Sequence, residues 1–315
     1  GQQCYDNTKS CRKTELEMSM QRKPGIDMFG ALSLTLFSAL LGLNQVLVKI
    51  VNTGLQPVFQ AGLRSLLAGI VVVTYARLTC KRLSIHDGTI VPGLVVGVLF
   101  AAEFALLFNG IALTSVAHAS VLFYTMPAWL AIAAHFTLGE RITWQRFCGL
   151  VLAVCGVAVA LLWTRTQGSN LLGDLLCLCA SFLWAAIAVM VRVTPLQHAT
   201  PHMQLSYQLL VSAPILMAMS LVPGQFAFAM TTELWSIFAF QVVAVVAVGF
   251  LAWFWTLTIY PASDLAAYGF LAPLFGVAFG WFVLDEKIGL NIVVSLLLVA
   301  AGLVLITAKR KTKAA

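Results

Sequence analysis

Charge is what this sequence has least of. Asp, Glu, Lys and Arg make up 10% of its 315 residues, against about 25% in soluble globular domains. With 60% hydrophobic residues, too little polar surface is left for water, and the solvent of this chain is lipid. Basic residues outnumber acidic ones, 19 to 12, but they lie at the ends of apolar runs and in the tails. That placement orients loops at a membrane and argues against a nucleic-acid partner. Nothing resembles a Walker A loop, which excludes ATP-driven work by this chain alone. HExxH and GxSxG are missing too, and Asp174 in Leu-Leu-Gly-Asp lacks the glycine pattern of an intramembrane aspartyl protease. The seven cysteines are scattered, with Cys148 and Cys155 on one helix face and Cys177 and Cys179 two apart. No pair of CxxC units or His/Cys cluster exists, so no metal, disulfide framework or cofactor is expected.

Long apolar runs are what the sequence has instead. Ten segments, at about 28–51, 58–78, 90–113, 119–136, 147–163, 171–193, 203–222, 234–259, 265–284 and 289–308, approach the roughly 17–25 residues that cross a bilayer as a helix. They must be helical, because unpaired backbone amides are too costly in lipid and no barrel-like alternation occurs. Residues 1–27 form a polar tail without the apolar core of a cleavable signal, which takes roughly 7–15 residues. MSMQRK from Met18 reads as a natural start, so the residues before it are expected to be extraneous. Residues 309–315 form a basic tail.

The chain repeats itself. Pro127 and Pro273, Glu140 and Glu286, and Gly156 and Gly302 all recur at an offset of 146. In each copy an apolar segment broken by proline leads to an acidic turn and a second apolar segment. The front halves align more loosely: Ser38–Lys49 with Ser181–Arg192 at 143, and Pro57–Gln60 with Pro201–Gln204 at 144, which sets Arg64 opposite Gln208. The repeats are therefore 28–163 and 171–308. Five spans per repeat is odd, so the second copy enters the membrane from the opposite side. The loop charges agree: of 19 basic residues, Lys49, Arg165 and Lys287 fall on the face away from the N-terminus, Arg64 lies within a span, and the other fifteen share the N-terminal side. By the positive-inside rule both termini are cytoplasmic. The expected fold is an all-α integral membrane protein of ten helices in two inverted five-helix repeats, an architecture associated with alternating access around a midplane site.

The stretches LLGLNQVLVKI (41–51), LRSLLAGI (63–70), ALTSVAHASVLFYTMPAW (112–129) and LGERITWQRFCGLVLAVCGV (138–157) carry a family likeness. So do ASDLAAYGFLAPLFGV (262–277) and LDEKIGLNIVVSLLLVAAGLVL (284–305), where Asp285 replaces Gly139 of the first copy. Together they resemble the drug/metabolite transporter superfamily, in particular its EamA-type ten-helix carriers. The resemblance implies a secondary transporter of amino acids, metabolites or drugs in a bacterial-type inner (plasma) membrane. It also implies that the first, second, fourth, sixth, seventh and ninth spans line a central cavity. We expect an exporter coupled to the proton gradient, with a small-molecule substrate and protons as partners beside the bilayer. The oligomeric state is not indicated. A channel or scaffold, or an intramembrane enzyme, is the alternative class.

Glu103 is the leading candidate for chemistry. It lies near the middle of the third span in GVLFAAEFALLF (97–108), with no cation within a turn. A carboxyl at bilayer depth is protonated, paired or facing a watery cavity, so it reads as a proton-coupling or cation-recognising group. Its bland alternative is a protonated acid bonded to a neighbouring helix. Arg64 is a candidate partner, or a bidentate holder of a substrate carboxylate, or a side chain that snorkels to a headgroup; the family often has Arg at this place. Asn44, Gln45, Gln60, Gln204, Tyr207 and Gln208 either surround a polar cavity or glue helices together. Tyr124, Trp184, Trp253 and Tyr268 are aromatic cavity candidates. His118 and Asp264 are equivalent, a polar pair at the starts of the fourth and ninth spans, where Asp264 also suits a helix N-cap. Pro127 and Pro273 are expected to kink their spans and free a carbonyl. Glu140 and Glu286 are read as turn caps or solvated ion pairs, and the GxxxG spacings Gly93–Gly97 and Gly276–Gly280 as internal packing.

Overall fold

The computed structural model describes residues 27–79, 88–140, 142–163, 170–222, 226, 229–249 and 268–307. Most of the N-terminal tail, the tail 309–315, Trp253 and Asp264 lie outside the described residues. All regular structure among those described is helical. The helices are α1 (Met28–Val51), α2 (Pro57–Leu78), α3 (Ile90–Leu113), α4 (Val116–Phe123), α5 (Met126–Leu138), α6 (Trp144–Leu162), α7 (Leu171–Val193), α8 (Pro201–Ser220), α9 (Thr232–Phe240), α10 (Leu271–Leu284) and α11 (Leu290–Thr307). A π-helical stretch, Gln241–Gly249, prolongs α9, and α4 and α5 form one broken span, so the described helices make up ten spans, five in each repeat. Among the described residues, seven spans, counting α4 with α5 as one, are long and apolar enough to cross a bilayer by length and composition alone.

Local chemistry fixes where the helices begin. Asp27 caps α1 by accepting from the Gly30 amide at 2.9 Å. Gln56 does the same for Phe59 at 2.6 Å, with Pro57 at the first position of α2, and Thr200 precedes Pro201 of α8 in the same manner. Proline suits this position because its missing N–H is one the helix would leave unpaired anyway. Those caps place α2 and α8 one or two residues earlier than apolar periodicity alone predicts. Helices α5 and α10 both end in the left-handed region, at Gly139 (φ 66°) and Asp285 (φ 51°). The two positions are repeat equivalents, and the turn geometry survives the loss of glycine because Asp tolerates this conformation better than most side chains.

The two repeats interlock. Helix α6 packs on α11, α2 on α8, α3 on α7 and α8, and α1 on α10. At the α6–α11 crossing, a Cβ on Gly302 would stand 2.6 Å from the Gly149 carbonyl oxygen, and a Cβ on Gly149 2.7 Å from that of Gly302. Ser295 Oγ donates to the Gly156 carbonyl at 2.6 Å. Since Gly149 and Ser295, like Gly156 and Gly302, are 146 apart, the crossing is nearly symmetric about the axis relating the repeats. Gly93 and Gly97 lie against Tyr207 and Val211 of α8, and Gly276 against Gly42 and Ser120. These small-residue pairs serve close packing inside the bundle.

Candidate functional site

Polar side chains of the first three helices meet inside the bundle. Arg64, buried two turns into α2, donates from Nη1 to Asn44 Oδ1 of α1 at 3.3 Å. Its guanidinium carbon stands 4.8 Å from the Phe104 ring centroid and 4.9 Å from that of Phe108. Residues four apart share a helix face, so α3 presents both rings to the cation, whose attraction to their negative faces stabilises it without water. Glu103, also on α3, is 2% exposed and near enough to Arg64 for the two charges to interact. No ion pair joins them among the described residues, and Glu103 Oε2 has no hydrogen-bond partner. A buried acceptor left unpaired costs about 1–3 kcal/mol, which marks the position as one that is not optimised for stability.

On its other side α1 meets the broken span. Gln45 Oε1 accepts from Ser120 Oγ of α4 at 2.8 Å, while its Nε2 is unpartnered. Tyr124, in the gap between α4 and α5, lies beside Gln45. Its ring meets Phe123 edge-on at 5.5 Å and Trp184 of α7 at 6.2 Å, and Trp184 stacks on Phe123 at 4.9 Å. Asn44 and Gln45 are neighbours, so α1 links the Arg64 group to the Tyr124 group through adjacent residues. Phe108, Phe123 and Tyr124 belong to one apolar core, with Phe104 and Trp184 packed on it.

A third polar contact closes this region. Gln60, one turn before Arg64 on α2, donates from Nε2 to Gln241 Oε1 at 3.4 Å. Both side chains are fully buried, with Gln60 Oε1 and Gln241 Nε2 unpaired. Gln241 opens the π-helical stretch, a distortion that recurs at functional sites.

The proline positions interrupt rather than kink. Helix α4 ends at Phe123 and α5 begins at Met126, so Pro127 sits in the first turn of a new helix. Pro273 is likewise in the first turn of α10, after a turn at 268–270. Neither proline breaks a bond within a described helix: the interruption falls just before Pro127, and the residues that precede 268 on the Pro273 side lie outside the described residues. A discontinuous helix of this kind marks the midplane sites of inverted-repeat carriers.

Other predicted residues stand elsewhere. Tyr207 pairs its hydroxyl with Thr89 Oγ1 at 3.1 Å while Gly93 packs against its ring. Gln204 donates to the Leu196 and Ala199 carbonyls at 2.8 and 3.2 Å, holding the short 3-10 turn Pro195–His198. Gln208 is half-buried on α8. Tyr268 accepts from Ser38 Oγ through its backbone carbonyl at 3.3 Å. His118, fully buried, pairs through Nδ1 with Asp174 Oδ2 at 3.1 Å. Sequence reasoning missed Gln241, Ser120 and the Asp174 pairing. An acid in the first turn of an apolar span was the available signal for Asp174; the other two carried none beyond polarity in a span.

Comparison with known proteins places this geometry. The chain matches the EamA-like transporter family over residues 28–162 and a second time over 171–308. It belongs to that family. A Bacillus subtilis protein named uncharacterized transporter YoaV is 26% identical over 281 residues, covering 88% of this chain and 94% of its own. The probable amino-acid metabolite efflux pump of Escherichia coli is 27% identical over 259 residues, covering 78% of this chain and 84% of that pump. One solved crystal structure superposes with a TM-score of 0.63 at 14% identity, over 89% of this chain and 96% of that one, which shows the fold. The chain is thus a multi-pass membrane transporter with a named efflux pump among its relatives.

Proposed function

We propose that this chain is a secondary carrier that exports small organic solutes in exchange for protons, by alternating access around the α1–α2–α3 polar group and the α4–α5 break. Both termini face the cytoplasm of a bacterial-type inner membrane in this reading, as the fifteen basic residues on the N-terminal side favour. Arg64 and Asn44 hold an anionic or carbonyl end of the solute, Tyr124 and Trp184 its apolar part, and Glu103 carries the coupling proton. The observation that supports it best is Glu103: a carboxyl 2% exposed, one oxygen unpaired, beside an arginine it does not bind. An acid so placed has a vacancy for a proton or a solute cation. The name of the Escherichia coli relative makes amino-acid metabolites the first solutes to try.

The test is uptake or efflux driven by an imposed pH gradient in proteoliposomes, wild type beside Glu103→Gln. Gradient-driven accumulation in wild type that is lost in Glu103→Gln, with downhill exchange retained, supports the assignment. An unchanged pH response in the variant removes Glu103 from coupling.

A further inference from the structure

We propose that Glu286 and Asp174 form a gate that holds the repeats together at the face where α1 ends. The inference rests on the alternating-access reading above. Glu286 lies in the turn between α10 and α11, in the second repeat. Its Oε1 accepts from the Val116 amide at 2.7 Å and its Oε2 from the Ala117 amide at 3.0 Å, across to the first repeat. These are N–H groups of the first turn of α4, which no carbonyl of that helix can satisfy, and the positive end of the helix dipole adds to the attraction. Asp174 of α7, also in the second repeat, accepts from Thr114 Oγ1 at 2.5 Å and pairs with His118 at 3.1 Å. Residues 114–118, the link from α3 to α4, are thus gripped by two acids of the other repeat. Lys49 completes the cluster: its ammonium donates to the Ile111 and Thr114 carbonyls and is near enough to Glu286 for their charges to attract.

On the opposite face the equivalents of Glu286 and Lys49 are Glu140 and Arg192, while those of Thr114, Val116 and Ala117 lie outside the described residues. Glu140, the counterpart of Glu286, is 42% exposed and pairs with Arg146 at 3.1 Å within its own repeat. Arg192 of the second repeat, the counterpart of Lys49, pairs with Glu140 at 3.7 Å across the repeats, but both side chains are open to water, where such a pair contributes little. Glu286 is half-buried and holds two backbone amides where Glu140 is exposed and holds solvated guanidinium groups, so among the described residues the tighter contact between the repeats lies at the face where α1 ends. The bonds made by Glu286 and Asp174 join the repeats, so opening that face must break them. Water can then solvate the released carboxylates and amides, which makes the contact reversible in a way an apolar seam is not.

Cys177 provides a native reporter. It is fully buried, and its Sγ lies 2.6 Å from where a Cβ on Gly110 would stand, at the seam between α7 of one repeat and α3 of the other. Labelling of Cys177 by a water-soluble maleimide, in nanodiscs and read by peptide mass spectrometry, measures how often the seam opens. Glu286→Gln should raise the Cys177 labelling rate about tenfold, the factor expected from one weakened charge-assisted bond. Glu286→Asp should label at a rate between that and wild type, and Glu140→Gln should leave Cys177 unchanged. Cys177→Ala removes the signal and sets the background. Melting temperature, read alongside, separates gating from unfolding: a gate variant opens the seam while melting within a few degrees of wild type. Should Glu286→Gln fail to fold, Glu286→Asp carries the test alone. Wild-type labelling rates in folded Glu286→Gln and Glu286→Asp would overturn the gate and leave Glu286 a helix cap. The assay needs no solute, so failure of the carrier reading, seen as flux without counterflow, is recorded separately.

Discussion

Replacing Arg64 by methionine should cost stability chiefly through what it leaves behind. Arg64 contributes a bond to Asn44 at 3.3 Å, cation contacts to two rings at 4.8 and 4.9 Å, and the charge facing Glu103. A bond from a charged donor nets about 1.5–3 kcal/mol and the ring contacts about 1–2 kcal/mol in a desolvated setting. Arg64 and Glu103 make no ion pair, so the loss is that of the bond, the ring contacts and an Asn44 oxygen left unpaired, about 3–5 kcal/mol in all. Methionine fills much of the same space, so cavity formation adds little. Glu103→Gln alone should cost about 1–3 kcal/mol, since Arg64 keeps Asn44 and its rings. The double variant should cost less than the sum by about 1–3 kcal/mol, the usual coupling of residues in one polar group. The assay is a double-mutant cycle by reversible unfolding in lipid–detergent micelles. Additive effects within 0.5 kcal/mol, a margin of about the normal error of such cycles, would refute a shared electrostatic site and make the two residues independent packing elements.

Other outcomes follow from the same coordinates. Gly302→Ala puts a methyl 2.6 Å from the Gly149 carbonyl oxygen, so α6 and α11 must separate, and unfolding should show a loss of about 1–3 kcal/mol. Asp285→Gly relieves a side chain held at φ 51° and should raise stability by up to about 1 kcal/mol in the same assay. Asp174→Asn keeps one acceptor for Thr114 or His118 but not both charged bonds, and should cost about 1–3 kcal/mol by unfolding.

The architecture was legible in the sequence because it is written in local properties. Span length, proline and glutamate spacing and the bias of loop charges give ten helices, their doubling and their inversion without any tertiary information. Which way each polar side chain turns was not legible. Helix α3 is apolar nearly all round and α8 spreads its polar residues over every side, so periodicity does not say which face meets the centre. Asn44, Arg64 and Glu103 do converge, as do Gln45 and Tyr124, but Gln204 and Tyr207 turn into packing contacts near one end of α8 and α3. The break before Pro127 differs from the expected kink because residues 124–125 leave the helix altogether. Partners distant in sequence, such as His118 with Asp174 and Gln60 with Gln241, arise only from how the repeats dock.

The central claim is that solute is carried rather than conducted, and counterflow tests it most directly. Proteoliposomes holding wild-type protein, loaded with unlabelled amino acid or related metabolite, are given trace labelled solute outside. The account predicts transient accumulation of label above equilibrium that saturates with concentration and falls in Arg64→Met. Flux that never exceeds equilibrium and rises linearly with concentration would contradict it and favour a channel.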